Sequence, residues 1–343
     1  MVKLIRYILF PFSLIYGLIT FVRNFMFDKK ILKSSSFDVK TILVGNISAG
    51  GTGKTPHIEY LIRLLKPEYK LATLSRGYGR KSSGFLLAND NSTAKDIGDE
   101  PLQFRHKFPK IQVAVDAKRV SGIIELMSQE DSPEIVLLDD AFQHRQLKAG
   151  LSILLMDVNS PFYSDFMLPT GNLREFSGGK KRADAIVVTK CSPSMSRSEK
   201  EKITTKINAP ETPVFFSQID YALPQPLTEF TSVSFEKSAR IVLVTGIANP
   251  KPLLNHLSKF DKKIEHLKYA DHHPFSTKEV NAIIESYGKE ANSVVLTTEK
   301  DAMRLRDFQE FKGIPLFYIP IQVAIQEREE EFKKLIKNYV TEN

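Results

Sequence analysis

Tryptophan is absent from the 343-residue chain, and Cys191 is its single cysteine. One cysteine excludes an intramolecular disulfide framework and any cysteine-rich metal site, and it suits a reducing compartment. No helix-turn-helix, zinc-finger or RNP-type aromatic pattern occurs, so no nucleic-acid partner is expected despite a formal net charge of +8. Low-complexity runs and repeats of solenoid period are also missing. The uncharged stretch between Arg6 and Arg23 is sixteen residues long, Tyr7 through Val22. It falls short of the roughly 20 residues needed to span a bilayer. No small-residue cleavage site follows it, which argues against a secretory leader.

The basic balance therefore points to an anionic membrane surface or a phosphorylated substrate. On a helical grid Lys3, Arg6, Ser13, Gly17, Thr20 and Asn24 form one narrow polar stripe. Apolar residues such as Leu14, Leu18, Phe21 and Phe25 fill the remainder. A core helix is one reading. The preferred one is a monotopic helix in the membrane interface, with Arg6, Arg23, Lys29 and Lys30 near lipid headgroups and Pro11 marking a kink or the start of regular helix.

From Lys40 onward, short apolar runs alternate with helical patterns, which predicts βα units and a parallel sheet. The expected fold class is α/β: a P-loop NTPase-like parallel sheet flanked by helices, with a second, smaller α/β domain. Expected strands are Thr41–Gly45, Leu71–Ser75, Gln112–Val115, Ile135–Asp139, Ser152–Met156 and Ala185–Thr189 in one series. Val214–Gln218, Arg240–Thr245, Ile264–Leu267, Ser293–Thr297 and Pro315–Ile319 form another. A weakly periodic stretch at Pro224–Lys237 suggests the domain junction. Expected boundaries are 1–30 for the interface helix, 31–225 for the P-loop domain and 226–343 for the smaller domain with a terminal helix, Gln326–Val340.

The most informative segment is Ser48-Ala49-Gly50-Gly51-Thr52-Gly53-Lys54-Thr55, between a buried strand and an amphipathic helix. Its glycines let backbone N–H groups converge on phosphate oxygens, and the helix N-terminus adds its positive end. Lys54 would bridge β- and γ-phosphates, and the Thr55 hydroxyl would ligate Mg²⁺. The strict Walker-A pattern is unmet, because Ser48 holds its first position. Downstream, Ile135–Leu138 delivers Asp139 and Asp140 to a strand end, the Walker-B layout for the Mg²⁺ shell. Glu175 is a candidate to complete that shell, and Arg174 a candidate for a phosphate. Asp99 and Glu100 open a helix after Gly98. Asp271-His272-His273 places two imidazoles beside a carboxylate, a suitable proton acceptor when one of them is paired.

Taken together, these blocks resemble one family, the lipid A 4′-kinases or tetraacyldisaccharide 4′-kinases of Gram-negative bacteria. The resemblance runs through Val44-Gly45-Asn46, the phosphate loop, Leu74-Ser75-Arg76-Gly77-Tyr78-Gly79 and Gly98-Asp99-Glu100-Pro101. It continues in Asp139-Asp140-Ala141-Phe142-Gln143-His144-Arg145 and Pro169-Thr170-Gly171-Asn172-Leu173-Arg174-Glu175. Thr245–Pro250, Asp271-His272-His273 and Thr298-Glu299-Lys300-Asp301 close it. Ala141 departs from the family, which usually has glycine there.

The resemblance implies transfer of the ATP γ-phosphate to the 4′-hydroxyl of a tetraacylated glucosamine disaccharide 1-phosphate at the cytoplasmic surface of the inner membrane. It implies an acid–base dyad of Asp99 with a histidine, here His272 in preference to His273. Because the two lie in different domains, the dyad is expected to assemble only on closure. Asn46, Arg76, Arg119, Gln143 and Arg174 are the expected substrate contacts. Two rivals are weighed: a nucleotide-switch ATPase or GTPase, whose extra lysine would fall at Ala49, and a nucleotide-binding membrane scaffold. The first lacks that lysine, and the second leaves Asp99 and His272 unexplained.

Overall fold

The computed structural model describes residue 6 and residues 8–228 and 234–342. Lys3 of the polar stripe and residues 229–233 of the expected junction lie outside the described residues. Two sheets organise the chain. The first carries β1 (Lys40–Gly45), β2 (Leu71–Ser75), β3 (Leu86–Leu87), β4 (Gln112–Val115), β5 (Ile135–Asp139), β6 (Leu151–Asp157), β7 (Ala185–Thr189) and β8 (Val214–Tyr221). The second carries β9 (Gln225–Pro226), β10 (Arg240–Thr245), β11 (Lys263–Lys268), β12 (Ser293–Thr298) and β13 (Leu316–Ile319). β14 (Ile321–Gln326) returns to the first.

The first sheet has nine strands in the order β14-β8-β7-β6-β1-β5-β2-β4-β3, and the second has five, β11-β10-β12-β13-β9. Among the described residues, only β14, β3 and β9 pair antiparallel with their neighbours. The core strands are aliphatic and buried on both faces, as a parallel sheet covered by helices requires. β1 lies between β5 and β6, with Val44 in register with Asp139. The loops after β1 and β5 therefore leave the same sheet edge side by side, where open α/β sheets bind ligands.

The expectation that residues 226–343 form one unit needs correcting at its end. β14 pairs with β8, and the terminal helix buries Phe332, Ile336 and Val340 against the first core. The helix begins at Glu329, not Gln326, because Ile321, Val323 and Ile325 alternate with Gln322, Ala324 and Gln326 and form a strand.

Among the helices, α1 (Phe10–Asp28) has its regular start marked by Pro11. Its polar stripe faces the protein. The Ser13 hydroxyl donates to Thr170 Oγ1 at 2.7 Å, Gly17 packs on Phe176, and Asn24 Nδ2 donates to Glu175 Oε2 at 2.9 Å. Arg23 stays exposed and donates to the Gln143 carbonyl. Leu14, Leu18, Ile19 and Phe21 stay exposed, each by more than half. That exposure rules out the core-helix reading.

Candidate active site

The phosphate loop follows β1 and ends at Gly53, whose left-handed backbone (φ 84°) caps α2 (Lys54–Leu65). Gly50 (φ 113°) and Gly51 have open space where a side chain would stand. The far side of the loop is held by its carbonyls. Lys190 Nζ donates to Gly51 O, Thr189 Oγ1 to Thr52 O at 2.9 Å, and His57 Nδ1 lies 2.7 Å from Gly53 O. Three consecutive carbonyls are thus tied down at the back of the loop. Burial lowers His57 to about 4, so the imidazole is neutral and bonds Ser217 Oγ through its other nitrogen. Ser48 and Ala49 are braced from the opposite flank by Leu173 and the Asn172 carbonyl.

Asp139 and Asp140 end β5 as expected, but their environments differ. Asp139 is buried, and burial pushes its carboxyl up to about 7 against the pull of nearby Lys54. Its Oδ1 has no hydrogen-bond partner among the described residues. A buried carboxylate oxygen without a donor, beside the Thr55 helix start, suits a hard cation such as Mg²⁺. Asp140 adopts φ 48° and turns its side chain to Arg174 NH1 (3.0 and 3.1 Å) and Lys54 Nζ (3.6 Å). Glu175 does not join them. It is buried, pairs with Arg182 (2.8 Å) and accepts from Gln143 Nε2 (3.0 Å).

The expected substrate contacts separate by burial. Arg76 is exposed and, with Gly77, Tyr78 and Ala117, lines an open cavity of about 390 Å³. Arg174 and Gln143 are half-buried around Asp140. Asn46 is fully buried, donating to Thr52 Oγ1 at 3.0 Å, and Arg119 is buried with its guanidinium on the Asp116 and Asp139 carbonyls. Those two are corrected from substrate contacts to braces of the loop and the strand end. Burial lowers Arg119 to about 10. Ala141, the departure from the family, sits in the apolar core, where its methyl group fits.

Asp99 opens α3 (Asp99–Lys107) after Gly98, whose φ is 92°. Its Oδ2 lies 3.2 Å from His272 Nδ1, so the pair joins elements of the two sheets in the described state. His273 points elsewhere, to Glu279 at 2.8 Å. Two residues given no role from sequence complete the cluster, both on α5 (Glu299–Leu305; α4 is Arg119–Met127). Arg304 reaches both Asp99 oxygens, and Lys300 Nζ lies 2.7 Å from His272 Nε2. Burial acts to raise Asp99, but hydrogen bonds from His272 and Arg304 outweigh it and hold the carboxyl below its ordinary range. Lys300 stands within the conspicuous Thr298-Glu299-Lys300-Asp301 block, which was the available signal. Arg304 follows one helical turn later on the same face.

The family model described as Tetraacyldisaccharide-1-P 4'-kinase matches residues 5–341. The chain belongs to the tetraacyldisaccharide 4'-kinase family. A relative from Flavobacterium johnsoniae named tetraacyldisaccharide 4'-kinase is 48% identical over 344 residues, covering 99% of each chain. One of the same name from Bacteroides thetaiotaomicron is 44% identical, covering 98% of this chain and 93% of its own. The crystal structure of LpxK from Aquifex aeolicus, described as an "apo" form in complex with ATP, superposes with a TM-score of 0.79 at 31% identity. It covers 98% of this chain and 99% of that one. In this member of the kinase family, the phosphate loop follows β1, Asp139 ends β5, Asp99 opens α3 and His272 lies in the loop after β11.

Proposed function

We propose that the chain is an ATP-dependent lipid kinase, moving the γ-phosphate of ATP to the 4′-hydroxyl of tetraacyldisaccharide 1-phosphate to form lipid IV-A. The observation that carries this reading is the Asp99–His272 contact, a proton-accepting pair added to a phosphate loop. A switch ATPase has no use for it. The loop N–H groups and Lys54 bind the phosphates, and Lys54 lies close enough to Asp140 to be oriented by it. Thr55, Asp139 and Asp140 would hold Mg²⁺, which when bound neutralises phosphate charge. Asp99 keeps His272 in place, and the pair takes the proton of the attacking hydroxyl. Arg174 and Arg76 are placed for anionic groups of the substrate.

The test is transfer of ³²P from labelled ATP to tetraacyldisaccharide 1-phosphate in detergent micelles. Labelled lipid, falling about 100-fold or more in Asp99→Ala, is the expected result. Free phosphate without labelled lipid would return the chain to the nucleotide-switch class.

The apolar face of α1 seats the enzyme at the cytoplasmic face of the inner membrane, where a four-chain lipid resides. Its polar stripe is satisfied by the protein, leaving the exposed face to lipid. Replacing Leu18 and Ile19 by glutamate is expected to shift the protein from the membrane fraction to the soluble one. Unchanged membrane recovery would refute this seating.

A further inference from the structure

Lys300 and Arg304 bring two positive groups to one imidazole. Besides them, the ring of His272 is faced by Asp99 and Glu100 from α3 and by the Tyr78 ring from the loop after β2. Asp271, its own neighbour, holds Lys300 Nζ at 3.1 Å. An ammonium group has hydrogens to donate and no acceptor. At 2.7 Å from Nε2, Lys300 therefore requires a lone pair on that nitrogen. The ring proton then belongs to Nδ1, which faces the carboxylate of Asp99 at 3.2 Å. Arg304 NH2 lies 3.0 Å from the same Nδ1, but two donors cannot bond each other, so its hydrogen bond goes to Asp99. The contacts fit one tautomer of the neutral ring.

We infer that Lys300 is a positioning residue that fixes the Nδ1–H tautomer of His272 and presents the Nε2 lone pair to the acceptor hydroxyl. This rests on the reading of Asp99 and His272 as the proton-accepting pair. In the reaction the hydroxyl takes the place of Lys300 at Nε2, while Asp271 keeps the displaced ammonium nearby. The hydroxyl proton passes to Nε2 as its oxygen bonds to the γ-phosphorus. The bond from that phosphorus to the β,γ-bridging oxygen breaks, and ADP leaves with the electron pair. Arg304 leaves the ring alone in this scheme and anchors Asp99 through both oxygens, so that the carboxylate cannot swing off Nδ1.

The experiment uses full-length protein in detergent, with ¹⁵N-labelled imidazoles and the His272 signals assigned against a His272→Gln variant. Without nucleotide or lipid, wild type is expected to show a protonated Nδ1 and an unprotonated Nε2. Lys300→Met is expected to populate both tautomers and to lower kcat about tenfold or more, with KM for ATP and lipid held. Lys300→Arg should restore the wild-type shifts and most of kcat. A wild-type ring protonated on Nε2, or Lys300→Met with wild-type kcat, would overturn the inference. The nitrogen shifts decide the tautomer even if no lipid is phosphorylated, so failure of the kinase reading is seen separately.

Discussion

Replacing His272 by alanine is expected to lower kcat about 10²- to 10⁴-fold while leaving the affinity for ATP nearly unchanged. The separation follows from where each part is anchored. The phosphate loop is held by Asn46, Thr189, Lys190 and His57, all within the first sheet and its connections. His272 comes from the loop after β11 in the other sheet and touches Asp99, Lys300 and Arg304, none of them in the phosphate loop. Because His272 has φ 58°, asparagine, which tolerates that backbone, is the companion variant. His272→Asn should lose kcat to a similar degree. His273→Ala should retain most of it, because its ring pairs with Glu279. ATP titration of each variant checks the claim, and a large loss of ATP affinity in His272→Asn would refute it.

The second large effect is on stability. Glu59 on α2 is fully buried, and Lys107 at the end of α3 stands 2.7 Å from it and 2.7 Å from Glu299 on α5. One ammonium therefore joins the phosphate-loop helix, the Asp99 helix and the helix bearing Lys300 and Arg304. Gln103 Nε2 and Arg63 also reach Glu59, but Lys107 is the cation that stands between the two carboxylates. Lys107→Met leaves both carboxylates buried with too little positive charge, and such losses cost about 3–5 kcal/mol. Burial, then the charge of Glu59, raises the Glu299 carboxyl above its ordinary value. The native state thus binds that proton more tightly than the unfolded chain does, so stability falls as pH rises through the interval between the two values. Without Lys107 that fall steepens, and the deficit of the variant should shrink on acidification. Denaturant melts of wild type and Lys107→Met across pH would show it. A deficit below about 1 kcal/mol at neutral pH would mean the pairing contributes no more than an exposed ion pair.

The parallel strands were legible because most are short aliphatic runs buried on both faces, bounded by polar or glycine-bearing turns; β11, at the sheet edge, is half-buried and carries Ile264 and Leu267 between charged residues. β3 and β9, of two residues each, carry no periodicity to read. β14 did carry it, in alternating Ile321, Val323 and Ile325, but its membership of the first sheet depends on a partner a hundred residues earlier. The same limit applies to the site. Residue type marked Lys54, Asp99, Asp139 and His272 as chemical groups. It could not show that Glu175 already has Arg182, or that Arg119 and Asn46 are spent on backbone and loop, because burial and partners are properties of the packing. Arg304 escaped notice for the converse reason, since an arginine in a charged helix has no signature until Asp99 comes within reach.

The return of β14 makes the second sheet an insertion, with the chain crossing between sheets once at residues 222–224 and again at Pro320. The crossings are bound to each other, Ala222 N donating to Pro320 O at 2.9 Å. The inserted sheet therefore leaves and rejoins the first at one place, and its remaining attachment is side-chain packing: Ile97, Leu102 and Val115 against Ala302 and Met303, beside the Lys107 bridge.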